Sequence, residues 1–325
     1  MLSRVAERMY WLGRYIERAE NTARLVNVYS NVMLDLSQVT KFLWRELTDI
    51  IDSTEDFLKL YEKSEERYVI KFMLADERNP GSLVDSIRMA RENARTTREI
   101  LPSEIWELVT EMHLYATEHM SEGLRRSGRY EFLDGIIDYC HHFTGLIVST
   151  LSETDAHNFI RIGVNLERAD MTTRILDVGS ATLLQPSDEL SEAFQNALWM
   201  NVLRSLSAYQ MYRQHVLDRV NAEDVVSFLL KDRKFPRAVA RCLAELDECF
   251  RTLPHNDNPL RSVAHVNRVI ADLDVVRVLE KSLHAFIDTL QMDLAGVHTE
   301  VESAWFRVQE PAAAEPSART QSQAG

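Results

Sequence analysis

Glycine and proline are scarce, 10 and 8 in 325 residues. That is too few for the tight turns of a β-rich chain. The scarcity leaves room for long periodic segments and predicts an all-α fold. Cysteine is scarcer still: Cys140, Cys242 and Cys249. Cys242 and Cys249 lie about 10 Å apart along a helix, too far for a disulfide. No CxxC pair is present, which argues against structural zinc. Cys140, in DYCHHFTG, reads as a small core thiol. No apolar run approaches the ~20 residues of a membrane span. The opening MLSRVAERMYW places charges where a signal peptide needs an apolar centre. The expectation is a soluble, cytoplasmic protein with no membrane partner. Positive charge is also short, 37 basic residues against 50 acidic for a net charge of −13, which disfavours nucleic acid as a partner.

Several chemical signatures are missing as well. Without a glycine-rich phosphate loop, the chain by itself is not expected to bind ATP, and no cofactor is implied. His141, His142 and His157 lie near Asp138, Glu153 and Asp155, but no ExxH or HExxH spacing gathers them, and His113 and His119 miss the i, i+4 rule. No metal site is expected.

What is present is helical periodicity. Val5, Met9, Leu12, Ile16, Ala19, Ala23 and Val26 recur in steps of four and three, one apolar stripe of a long helix. Phe159, Ile162, Leu166, Ala169, Thr173 and Leu176 repeat it. GRYIERAENTARLVNVYS (13–30) aligns without a gap on GVNLERADMTTRILDVGS (163–180). Three later landmarks keep the order and nearly the same separation: Trp44 with Trp199, Pro80 with Pro236, and Phe132 with Phe286. The chain therefore reads as a duplicated helical bundle with pseudo-twofold symmetry. Residues 1–150 and 151–308 form two units of about five helices each, and 309–325 form a disordered Ala/Pro/Ser/Gln-rich tail. No Gly/Pro-rich linker separates the units, so they should pack as one body. Proline suits a first helical turn, so Asn79-Pro80 and Phe235-Pro236 read as equivalent helix starts.

The two Glu-Arg helices carry the main candidate site. Tyr10, Gly13, Glu17, Asn21, Arg24 and Val28 share a second face beside the apolar stripe, flanked by Arg14 and Glu20. The second helix keeps Glu167 and Arg174 but has Val164 and Met171 where Arg14 and Asn21 would fall. Such a face is either a charged groove for a carboxylate, phosphate or amine, or a set of buried pairs, Glu17–Arg24 and Glu167–Arg174, that fix helix register. Arg18 and Arg168 point away from the stripe and should face solvent. A further cluster, Arg88, Arg91, Glu92, Asn93, Arg95 and Arg98, contains an arginine stripe at i, i+3, i+7, i+10. It is either a solvated face or a landing surface for an acidic partner.

SRVAERMYWLGRYIERAENTARLVNV (3–28), NPGSLVDSIRMARENARTTREILPSEIWE (79–107) and NFIRIGVNLERADMTTRILDV (158–178) together resemble the bacterial alpha-E family over about residues 1–308. Val164 and Met171 depart from its pattern and argue against a symmetric two-site mechanism. The resemblance implies an accessory partner of a circularly permuted ATP-grasp ligase, with transglutaminase-like peptidases nearby, in the making and trimming of an amide- or peptide-linked product. On that basis the chain is a helical subunit that binds or positions the ligase's substrate or product and is not a stand-alone enzyme. Two alternatives are an isoprenoid-synthase-like enzyme, suggested by YEFLDGIIDYCHHFTGLIVSTL and Asp52-x3-Asp56, and a purely structural scaffold.

Overall fold

The computed structural model describes residues 1–35, 40–183, 192–216 and 219–307, and the 309–325 tail lies outside them. Within the described residues all regular structure is helical. The first eight helices are α1 (Ser3–Asp35), α2 (Thr40–Ile50), α3 (Thr54–Leu60), α4 (Glu66–Leu74), α5 (Leu83–Thr96), α6 (Ser103–Glu118), α7 (Met120–Gly123) and α8 (Arg126–Thr150). The next eight are α9 (Asp155–Leu183), α10 (Glu192–Ser205), α11 (Tyr209–His215), α12 (Ala222–Lys231), α13 (Val239–Thr252), α14 (Asp257–Ala271), α15 (Val275–Lys281) and α16 (Leu283–Val301). A π-helical turn, Glu302–Phe306, closes the described chain.

Each half thus carries more helices than the five expected, because short breaks divide the periodic segments. Two of these breaks have the same construction. After α2, Asp52 turns left-handed at φ 53° and Ser53 N–H reaches back to the Thr48 carbonyl. After α10, Ser207 does the same at φ 53° and Ala208 N–H reaches the Leu203 carbonyl. This is the Schellman closure, here without the usual glycine.

The prolines sit outside the helices they were expected to open. α5 starts after Pro80, at Leu83, where the Ser82 hydroxyl caps the Asp85 N–H. Pro80 lies in the preceding turn, held by the Asn79 side chain between the Phe72 carbonyl and Gly81 N–H. Pro236 likewise precedes α13, which begins at Val239, and the Asp232 carboxylate accepts from the N–H groups of Lys234 and Phe235. A proline disfavours helix in the residue before it, and here side chains, not proline, satisfy the turn N–H groups.

The long helices α1 and α9 form the centre. Their apolar stripes are buried from Met9 to Val26 and from Phe159 to Leu176, while Val5 at the outer end is half-buried. α1 is flanked by α5 and α8, and α9 by α13 and α16. Each tryptophan helix also leans on the opposite centre, α2 on α9 and α10 on α1, with Trp44 and Trp199 buried. The two central helices meet at glycines. A Cβ on Gly13 would stand 2.3 Å from the Ile160 carbonyl oxygen, and one on Gly163 would stand 2.0 Å from that of Tyr10. Only hydrogen fits there, so glycine sets both the closeness and the register of the crossing.

Candidate functional site: the Glu-Arg crossing

The second face of α1 is the face that meets α9. Close approach at Gly13 and Gly163 lays Glu17-Arg18 alongside Glu167-Arg168, and the two dipeptides pair reciprocally. Arg168 Nη2 donates to Glu17 Oε2 at 2.7 Å. Arg18 Nε and Nη2 donate to the two Glu167 oxygens at 2.7 and 3.1 Å. Arg18 and Arg168, expected from the sequence to face solvent, are instead largely covered, with side chains 24% and 15% exposed. The opposite helix is the covering partner.

A second arginine completes each carboxylate, and the two come from different places. Arg14, on α1, donates to Glu167 through Nε. Arg237, in the turn after Pro236, donates to Glu17 and, through its two Nη groups, to Asn21 and Glu20. Glu20 also receives Arg24 Nη2 at 2.6 Å and lies 3.5 Å from His141 Nε2. Burial would raise the pKa of Glu167, but the charges of Arg14 and Arg18 outweigh it and bring the carboxyl down to about 2. Glu20 is lowered too, against the effect of burial, chiefly by Arg237. Carboxylates held this firmly ionised are poor general bases near neutral pH. The thiols are no better placed as nucleophiles: burial pushes Cys242 and Cys249 up to about 12 and also raises Cys140.

The network continues from Arg14 into an aromatic corner. Arg14 Nη1 donates to the Tyr10 hydroxyl at 2.7 Å, and that hydroxyl lies 2.7 Å from His298 Nδ1. With Arg14 donating to the phenol oxygen, the phenol's own proton is left to reach Nδ1, an arrangement that puts the imidazole proton on Nε2, facing Glu302 at 3.4 Å. Burial, then the Arg14 charge, lowers the His298 pKa, in keeping with a neutral ring.

The candidate residues thus divide into three groups. Arg14 and Glu167 belong to one buried network at the crossing, and Glu17 and Asn21 to a second, with Arg24 at the edge of the second. Glu17–Arg24 and Glu167–Arg174 are not the pairs formed, because the crossing sets reciprocal partners two turns closer. Arg174 stands apart, 3.0 Å from Asp170 and 3.8 Å from the exposed Asp52. Arg91, Glu92, Asn93 and Arg95 lie on α5, away from the crossing: Arg95 pairs with Glu92 at 2.7 Å and Arg91 lies over the Trp106 ring. Arg237 and His298 are the members that sequence alone does not find. The available clue to Arg237 was its place beside Pro236.

The histidines weighed for metal are scattered: His141 faces Glu20, and His157 Nδ1 meets no protein partner. Asp177, His284 and Asp288 form a closer group, joined by the fold from α9 and α16. There His284 gives Nδ1 to Asp177 at 2.8 Å and turns Nε2 to Asp288 at 3.4 Å. Asp177 is half-buried, His284 and Asp288 are exposed, and one ligand atom from each lies within 4.8 Å of the others. No helix among the described residues is long and apolar enough to cross a membrane.

No solved structure matches this chain. It is similar to an uncharacterized protein of Mycobacterium bovis and to two of Mycobacterium tuberculosis, each 24% identical over 324 residues that cover 92% of this chain. It spans only 35% of the length of those relatives, which therefore carry the helical module within longer proteins. The model of a family described as a predicted alpha-helical domain with a conserved ER motif matches residues 1–306. With its two Glu-Arg dipeptides locked across one helix crossing, this chain belongs to the Alpha-E family.

Proposed function

We propose that the chain is a helical accessory subunit of a circularly permuted ATP-grasp amide or peptide ligase, docking on it and helping to hold its substrate or product. The observation that carries this reading is that the motif residues are spent on one another. Both carboxylates are enclosed and arginine-paired, and that of Glu167 is held ionised, which suits a supporting body better than a reaction centre. Residence in longer chains among the relatives fits a module that works beside another. The test is co-expression with a circularly permuted ATP-grasp ligase from the same genome, followed by affinity purification and ligase-dependent ATP turnover. The expected result is a stoichiometric complex with a lower KM for the acceptor substrate. Absence of a complex, together with unchanged turnover, would reject the reading. The enclosed Glu-Arg pairs favour a second reading, a scaffold alone, in which the complex forms and KM stays the same.

We also infer that residues 1–150 and 151–308 are two repeats related by a pseudo-twofold axis. The reciprocal ion pairs, the paired glycine contacts and the matching closures at Asp52 and Ser207 support it. A superposition of the halves that put Glu17 and Trp44 out of register with Glu167 and Trp199 would overturn it.

A further inference from the structure

The arginine stripe on α5 is not uniform. Arg88 pairs with Asp85, and Arg95 with Glu92. Arg91 forms no ion pair among the described residues. Its guanidinium lies 5.5 Å from the centre of the Trp106 ring, and its Nε–H is enclosed without a protein acceptor. Trp106, Thr110 and His113 follow one another at i, i+4 and i+7 along α6, the helix packed against α5. Thr110 Oγ1 and His113 Nδ1 are likewise enclosed and unpartnered. Ser86 Oγ and Asn93 Nδ2 on α5 are enclosed and unpartnered too; unpaired polar atoms are costly, and the three donors beside Trp106 call for a common partner. The local field gives its sign. Burial, then the nearby charges of Arg91 and Arg88, lower the His113 pKa. This is a positive spot on a protein of net charge −13.

We propose that α5 and α6 form an oxyanion site in which Arg91, Thr110 and His113 donate to a carboxylate or phosphate group and Arg88 adds charge. Trp106 holds the Arg91 guanidinium as a flat platform, which presents its N–H groups in a fixed plane. An oxyanion suits the site because it only accepts hydrogen bonds and has enough lone pairs for several donors. The site lies apart from the Glu-Arg crossing and stands whether or not a ligase is the partner.

The test uses the chain alone. Inorganic phosphate and, separately, glutarate are titrated while the His113 ring and Arg91 Nε–H resonances are followed by NMR. Saturable shifts of both signals are expected, and the tighter anion identifies the source of the oxyanion. Arg91→Gln should weaken binding at least about tenfold, the loss of one charged hydrogen bond. Thr110→Val should weaken it less, and Arg98→Gln, in the turn after α5, should leave it unchanged. Absence of a saturable shift with either anion overturns the proposal. So does an Arg98→Gln effect equal to that of Arg91→Gln, since attraction would then be diffuse. Should Arg91→Gln fail to fold, Thr110→Val decides: unchanged affinity rejects the site.

Discussion

Arg237 and Arg174 are both arginines near the Glu-Arg helices, yet they do different work. Arg237 is 7% exposed and is shared by Glu17, Glu20 and Asn21. Replacing it with Gln strands buried carboxylate oxygens, a loss in the range of about 3–5 kcal/mol, eased somewhat because Arg168 and Arg24 remain. Arg174 shares its charge with Asp170 and Asp52 at a partly wet surface, where ion pairs contribute about 0–1 kcal/mol. Urea unfolding of Arg237→Gln and Arg174→Gln should therefore show a large drop in the first midpoint and a small one in the second. Comparable drops would mean that the crossing does not carry its stability in these charges. From the sequence alone, Arg174 is the more natural stability residue, because it repeats Arg24 in a face that has lost its other polar members. Partner identity reverses that order.

At the scale of helices, the crossing rests on two missing side chains. Gly13→Ala or Gly163→Ala would drive a methyl group into a carbonyl of the facing backbone, which cannot turn aside as a side chain can. Overpacking of this kind costs about 1–3 kcal/mol or more, and here it also pulls the ion pairs out of reach. Gly145 in α8 and Gly296 in α16 have open space around the added carbon. Alanine there should stabilise by about 0.5–1 kcal/mol, because glycine weakens a helix interior. Thermal melts of the four variants should separate into those two pairs, and a mild Gly13→Ala would refute the tight crossing. Much of this architecture was legible beforehand. The α1 and α9 stripes follow from residue spacing, because one face of each helix must leave water. The ion-pair partners were not legible, since spacing along one helix gives no register between two. That register depends on how closely the backbones approach at Gly13. The prolines misled for a local reason: each sits in a turn fixed by a side chain, Asn79 at Pro80 and Asp232 before Pro236, and the helices begin only at Leu83 and Val239.

At the scale of the molecule, the two halves have no separate interiors along α1 and α9. The chain leaves α8 at Thr150 and enters α9 at Asp155, and each central helix finds its charge partners in the other half. Residues 1–153 produced alone should therefore remain poorly folded, and co-production with 154–325 should restore a soluble complex with native helical circular dichroism. A cooperative thermal transition for the first fragment by itself would contradict this interdependence. The glycine notch and the paired dipeptides have a further consequence. A lone unit bearing Gly13, Glu17 and Arg18 exposes a grooved helix with its charges unanswered, and what answers them is another helix of the same kind. On the duplication proposed above, the present chain is the covalent counterpart of a pair of such units. On that reading each joined copy was free to drift, in keeping with Arg14 completing one carboxylate and Arg237 the other.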